Sequence, residues 1–238
     1  MRRSFLLLFL MNITIPLSAE KCCECNCHPS FWSELASSFE KVLEDILNPI
    51  EDPFCFEDAF VPKNVQIYEA PTFLNDEGLD FLVRKKKHLE FLNLSDCVKL
   101  TDWGLKSLKS LNLYYLDLSF NGHITDFGLT HLSEISTLYY LDLANCSQIS
   151  DWGLSKLKEL PLKYLSLSGC SEITDWGLRY VENMNTLKYL NLSRCSQLTD
   201  DGLKRLGNLN LYYLNIQDCP NITESGLIYV WDIPHLDY

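Results

Sequence analysis

The sequence predicts an α/β solenoid with an inner parallel β-sheet, short outer helices and an N-terminal helical cap. Three observations carry that expectation. Leu89, Leu113, Leu138, Leu162, Leu187 and Leu211 each open a stretch reading LxxLxLxx(C/N)xx(I/L)(T/S)(D/E)xGL, the sixth with Ile216 for the third leucine. Successive openings lie 24, 25, 24, 25 and 24 residues apart, and the extra residue falls between the glycine and the next leucine, so the motif keeps its register. Finally, Gly78, Gly104, Gly128, Gly153, Gly177, Gly202 and Gly226 share one slot of the repeat, which accounts for seven of the ten glycines. One such unit cannot bury its own leucines, but stacked units can, so stability accrues at the interfaces between neighbours.

The elements follow in chain order. Residues 1–19 place Arg2 and Arg3 before an apolar run from Ser4 to Leu17, with Ser18 and Ala19 after it. That is the layout of a secretory signal peptide. The run is broken by Asn12 and Thr14 and is shorter than the roughly 20 residues of a membrane span. A retained signal anchor is the competing reading; two arginines do not make the basic amphipathic helix of a mitochondrial presequence.

Residues 20–62 form a Cys-rich segment and a cap. Cys22, Cys23, Cys25, Cys27 and His28 are soft donors that suit Zn²⁺ or Cu(I). Their adjacent and two-apart spacings differ from the CxxC knuckles that wrap zinc. With Cys55 they can instead pair as disulfides in an oxidising compartment, and at a membrane they can be acylated. After them, Trp32, Leu35, Phe39, Val42, Leu43, Ile46 and Leu47 recur at helical spacing between a Ser30 cap and an Asn48-Pro49 stop. An exposed first coil needs such a cover. The basic run Arg84 to His88 reads as the solvated end of the first outer helix, where cations suit the dipole.

Residues 63–238 are the repeats, about seven units. The first is degenerate between Val65 and Leu74 and then regular at Asp76-Glu77-Gly78-Leu79. The unit from Leu162 shows the rest. Leu162, Leu165 and Leu167 point into the coil, while Tyr164 and Ser166 point out, as the period of two requires. Thr174-Asp175 offers a helix N-cap oxygen, and Leu178 and Val181 form an apolar i, i+3 face. At Gly177 the repeat demands either positive φ or room that a side chain would fill. A further leucine register begins at Leu236.

These motifs resemble the cysteine-containing leucine-rich repeats best known from substrate adaptors of F-box ubiquitin ligases, with similar repeats in proteins of intracellular bacteria. The resemblance implies a leucine-rich repeat solenoid shaped as a right-handed horseshoe or arc, with a concave face for binding. It also implies the alternative of a substrate-recognition adaptor in a ubiquitin ligase. The stretch from Ser30 to Pro62, however, lacks the Leu-Pro opening and following helices of an F-box.

Cys97, Cys146, Cys170, Cys195 and Cys219 occupy one slot, which Asn121 takes in the second unit. A position accepting either residue suits a buried side chain bonded to backbone at the bend after the strand. Stacked coils set neighbouring Cα atoms about 4.8 Å apart, inside the disulfide range, but parallel side chains make poor bridge geometry.

The expected binding surface is the concave face. The third position of successive units reads Phe91, Tyr115, Tyr140, Tyr164, Tyr189 and Tyr213, an aromatic stripe suited to recognition. It equally suits stabilisation of the sheet by neighbour contacts. The fifth position reads Asn93, Asp117, Asp142, Ser166, Asn191 and Asn215, with Asp117 and Asp142 as acidic contacts. A second ladder, Trp103, Phe127, Trp152 and Trp176, lies on the convex turns and reads as packing filler before docking surface. Sequons at Asn93, Asn145, Asn191 and Asn221 come largely from how the repeat spells a strand.

A net charge of −12 opposes broad affinity for nucleic acid or anionic lipid. The histidines at 28, 88, 123, 131 and 235 form no zinc spacing, and no phosphate loop, GxSxG elbow or HExxH occurs. The expectation is a secreted or lumenal, noncatalytic module without cofactor that binds a protein or peptide. Nucleic acid is not an expected partner, and a membrane is one only if the N-terminal segment is retained.

Overall fold

The structure, a computed structural model, describes residues 67–238. The signal segment, the Cys22–His28 cluster with Cys55, and the cap helix all lie outside the described residues. Eight strands form one sheet in chain order: β1 Ile67–Glu69, β2 Phe91–Asn93, β3 Tyr115–Asp117, β4 Tyr140–Asp142, β5 Tyr164–Ser166, β6 Tyr189–Asn191, β7 Tyr213–Asn215 and β8 His235–Asp237. Every neighbouring pair is parallel. The degenerate first unit still supplies β1, and the Leu236 register supplies β8. Between strands run α1 Asp76–Lys85, α2 Asp102–Leu105 with a 3₁₀ turn Lys106–Ser110, α3 Asp126–Leu132, α4 Asp151–Leu157, α5 Leu178–Val181, α6 Asp200–Leu206 and α7 Glu224–Leu227. Among the described residues no helix is long and apolar enough to cross a membrane.

The repeat spacing becomes vertical registry. Leu92, Leu116, Leu141, Leu165, Leu190 and Leu214 lie directly over one another and are fully buried. Leu105, Leu129, Leu154, Leu178 and Leu203 bury the helix side of the same core. Each such side chain contributes about 1.5–3 kcal/mol by leaving water.

The (T/S)D pair of the motif does two jobs. The hydroxyl caps its own helix, as Thr125 does by accepting from the Phe127 N–H at 3.2 Å; Thr174 makes the same bond to the Trp176 N–H at 3.1 Å but closes only a turn, because α5 begins at Leu178 with Gly177 as its cap. The aspartate reaches one unit onward. Asp151 accepts from the Thr174 N–H at 2.8 Å and from its hydroxyl at 2.6 Å. Asp76, Asp102, Asp126, Asp175 and Asp200 clasp Thr101, Thr125, Ser150, Thr199 and Thr223 in the same way. This clasp settles the repeated glycine. Gly177 has φ −60°, an ordinary helical value. A Cβ there would run into the Asp151 carboxylate, and at Gly104 it would lie 2.5 Å from Asp76 Oδ1. The slot is a matter of room, not of backbone conformation.

Positive φ falls elsewhere, on the residue just before the Cys/Asn slot: Asp96 at 56°, Phe120 at 62°, Asn145 at 59°, Gly169 at 71°, Arg194 at 60° and Asp218 at 57°. That left-handed residue turns the chain out of the strand towards the convex side.

Candidate interaction surface

The aromatic stripe lies in one file across the sheet, with Tyr115, Tyr140, Tyr164, Tyr189 and Tyr213 paired strand to strand. The rings of Tyr115 and Tyr140 stack at 4.3 Å and those of Tyr140 and Tyr164 at 4.0 Å, with interplanar angles of 20° and 7°. Phe91 joins at 6.3 Å from Tyr115. Adjacent parallel strands are about 4.8 Å apart, so rings leaning together along the sheet close this spacing into a plate. Tyr115, Tyr140, Tyr164 and Tyr189 remain half-buried, while Phe91 and Tyr213 are buried. Tyr213 donates its hydroxyl proton to Asp237 at 2.9 Å.

The fifth-position row is not the open polar row expected beside that stripe. Ser166, Asn191 and Asn215 are buried, while Asn93, Asp117 and Asp142 are half-buried. These side chains end the strand instead. Asn93, Asp117, Asp142, Asn191 and Asn215 each accept, through Oδ1, the backbone N–H two residues on, at 2.8–3.0 Å. Asp117 and Asp142 stand side by side in this row. Burial, and then the Asp117 charge, push the Asp142 carboxyl up to about 7, against the opposing bonds from Ala144 and Ser166. Burial likewise raises Asp117. Sequons on Asn93 and Asn191 therefore carry side chains already engaged in the turn, with Asn191 buried.

The five in-register thiols are free and buried. Each donates to a carbonyl of the preceding unit: Cys97 to Pro71, Cys146 to Leu118, Cys170 to Leu143, Cys195 to Leu167 and Cys219 to Leu192. Asn121 donates its amide to Leu94 and Leu118, both at 2.8 Å. Burial pushes Cys97 up to about 11 and Cys146 and Cys195 up to about 12, which leaves these thiols poor nucleophiles. Among the described residues, no group of three or more His, Cys, Asp and Glu is placed to hold a metal ion.

The convex ladder departs from the filler expectation. Trp103, Phe127, Trp152 and Trp176 are 68, 46, 50 and 63% exposed. Lys156 lies over the Trp152 ring and Arg179 over the Trp176 ring, each at 4.1 Å.

Sequence reasoning passed over the second position of each unit, which lies beside the stripe just before the strand, with Tyr114 6.3 Å from Phe91 and Tyr212 6.4 Å from Tyr189. It reads Glu90, Tyr114, Tyr139, Lys163, Lys188 and Tyr212. The signal was the doubled Tyr114-Tyr115, Tyr139-Tyr140 and Tyr212-Tyr213, each in the same frame. Tyr114 and Tyr139 stack at 5.8 Å with their planes 6° apart. Lys163 Nζ lies 5.8 Å from the Tyr139 ring centre and Lys188 Nζ 5.8 Å from that of Tyr212. Burial and the neighbouring Lys188 charge lower the Lys163 pKa, and burial lowers that of Lys188.

A parallel sheet built one strand per unit, with leucines inside and a short helical turn outside, defines a leucine-rich repeat solenoid. Stretches 85–109, 109–133 and 183–207 match the family model described as Leucine Rich repeat. No curated protein matches the sequence. A chain of the yeast Rad7–Elc1 complex superposes with a TM-score of 0.56 at 22% identity, over 64% of this chain and 42% of that one. An internalin, InlF of Listeria monocytogenes, gives 0.45 at 20% identity over 66% of this chain and 56% of its own. The chain in a TLR13–ssRNA13 complex gives 0.43 at 22% identity over 63% of this chain and 24% of its own. The chain thus spans less than two thirds of each of these proteins, and the likeness is one of fold.

Proposed function

We propose that this chain is a noncatalytic interaction module that binds a protein or peptide through its tyrosine-lined concave face. The observation that supports this reading is the plate of stacked rings from Phe91 to Tyr164, continued in register by Tyr189. Rigid aromatic surface with hydroxyl tips gives contact area at little entropic cost. Leucine-rich repeat solenoids are interaction scaffolds, and export through residues 1–19 belongs to the same proposal; N-terminal sequencing of native protein tests that part.

Replacing Tyr140, Tyr164 and Tyr189 together by alanine tests the face. Partner capture from the native source is expected to disappear while thermal unfolding stays cooperative. Trp103→Ala with Trp176→Ala serves as the convex control and leaves capture intact. Unchanged capture by the tyrosine variant, or loss only in the tryptophan variant, moves the site off the concave face. Co-purification of a ligase scaffold with an uncleaved N-terminus would support the adaptor reading instead.

A further inference from the structure

The concave face carries charge in an order that selects its ligand. Glu90 sits beside Phe91 on β2, and Asp117 and Asp142 lie on β3 and β4, so the early strands are acidic. On β5 and β6 the fifth position turns neutral, with Ser166 and Asn191, and the second position turns basic, with Lys163 and Lys188. The two lysines are adjacent, because the Lys188 N–H donates to the Lys163 carbonyl at 2.9 Å. Among the described residues neither ammonium forms an ion pair. Lys188 Nζ donates to the Asn210 carbonyl at 3.0 Å, and among the described residues Lys163 Nζ has the Tyr139 ring face as its contact.

Lys163 and Lys188 stand on consecutive units as partly buried cations with no anion paired to them among the described residues, so they repel one another and have lost hydration. Both effects favour any ligand that brings a negative charge between them. This is unusual in a chain of net charge −12. The convex cations are different: Lys156 and Arg179 already cover Trp152 and Trp176 closely, at 4.1 Å. Lys163 and Lys188 stand farther from their rings, each at 5.8 Å, over Tyr139 and Tyr212.

We infer that the concave face binds an extended peptide whose aspartate or glutamate side chain lies between Lys163 and Lys188, with apolar side chains on the neighbouring tyrosines. An extended peptide advances about 3.3 Å per residue and strands are spaced about 4.8 Å. An apolar residue two or three positions from the carboxylate therefore reaches Tyr114 and Tyr139 on one side, or Tyr212 on the other. A polyanion is disfavoured, since the positive charge beside the stripe is confined to Lys163 and Lys188 and phosphates continuing along that row would meet the exposed Glu90. This inference rests on the concave-face reading and specifies the partner chemistry for it.

Random dodecapeptides displayed on phage and panned against the full chain provide the test. Enriched sequences are expected to share one Asp or Glu flanked within three positions by apolar or aromatic residues. A synthetic fluorescent version of the best binder should weaken at least tenfold when that acid becomes its amide. It should weaken equally against Lys163→Gln with Lys188→Gln, a variant that keeps both stems. The tyrosine variant should also lose the peptide. Binding lost by the tyrosine variant but unaffected in the lysine variant overturns the inference and leaves the concave site standing. Binding that survives both variants overturns both. Failure to enrich any peptide, an enriched set without a fixed acid, or equal competition by a 20-nucleotide single-stranded DNA or by phosphatidylserine vesicles also overturns it.

Discussion

Asp142 shows how a single side chain of the repeat carries both a gain and a cost. Its Oδ1 holds the Ala144 N–H at 2.8 Å and so ends β4, but the residue stands directly opposite Asp117 and has lost hydration. Its folded pKa, pushed up to about 7 from 3.8, lies above the unfolded value. Its favourable contribution is therefore complete below about pH 4 and is lost as pH rises through about 7. Asparagine, which the repeat itself places there at Asn93, Asn191 and Asn215, keeps the acceptor without the charge. Asp142→Asn should gain about 1–2 kcal/mol over the parent between pH 4 and pH 8, a discount on the full shift for residual solvent. Urea unfolding at several pH values reads this, and a difference constant with pH would refute it. Phe120 poses a simpler case. It holds φ 62° with 53% of its surface exposed, so it bears left-handed strain and returns little burial. Phe120→Asn should stabilise by about 0.5–1 kcal/mol, whereas Gly169→Ala, at φ 71° and with its Cβ 2.5 Å from Asn145 Oδ1, should destabilise by at least as much. Thermal melts that rank these two variants in the reverse order would contradict the assignment.

At the scale of the element, the clasp couples units through a residue that looks local in sequence. Asp151 follows a capping serine, Ser150, and precedes an exposed tryptophan, so nothing around it signals that both its oxygens serve Thr174 in the next coil. Gly177 then has to be glycine because the same carboxylate occupies its Cβ space. Removing the carboxylate with Asp151→Ala forfeits two charge-assisted bonds, at about 1.5–3 kcal/mol. Gly177→Ala alone forces that carboxylate aside and loses part of the same energy. Combined, the two changes should cost less than their sum by about 1 kcal/mol, because the alanine Cβ then enters space the aspartate has left. A double-mutant cycle by chemical denaturation measures this coupling. Strict additivity would mean that the glycine slot answers to Leu154, whose Cδ1 also lies 3.0 Å from the added atom, and not to the clasp.

For the molecule as a whole, what sequence could disclose follows from which interactions repeat. Leucines, tyrosines, cysteines and glycines recur at one period, so their stacking into β2–β7 was legible, and the same register extends to β1 and β8. The left-handed slot was obscured because Phe120 and Arg194 stand among the Asp, Asn and Gly that favour it. The burial of Ser166 and Asn191 arises only once neighbouring units stack, which no single unit encodes. Lys163 and Lys188 precede the strand proper, where the period of two assigns no side, so nothing within one unit marks them as neighbours of the stripe. Stacking also dictates how the chain should fail. Each coil touches only its neighbours, so stability is a sum of unit and interface terms, and the place of a lesion matters more than its chemistry. Leu165 is fully buried on β5 between Leu141 and Leu190, whereas Leu236 on β8 is only partly buried and, among the described residues, pairs with Leu214 alone. Leu165→Ala should cost about 2–5 kcal/mol and loosen β4–β6 together, dividing one cooperative transition into two with smaller denaturant slopes. Leu236→Ala should cost well under half as much and fray β8 alone. Native-state hydrogen exchange distinguishes these patterns: protection lost on both flanks of β5 in the first variant, and confined to β7 and β8 in the second. Equal loss across all eight strands in both variants would mean that the solenoid unfolds as one indivisible body, and that its interfaces are stronger than nearest-neighbour stacking supplies.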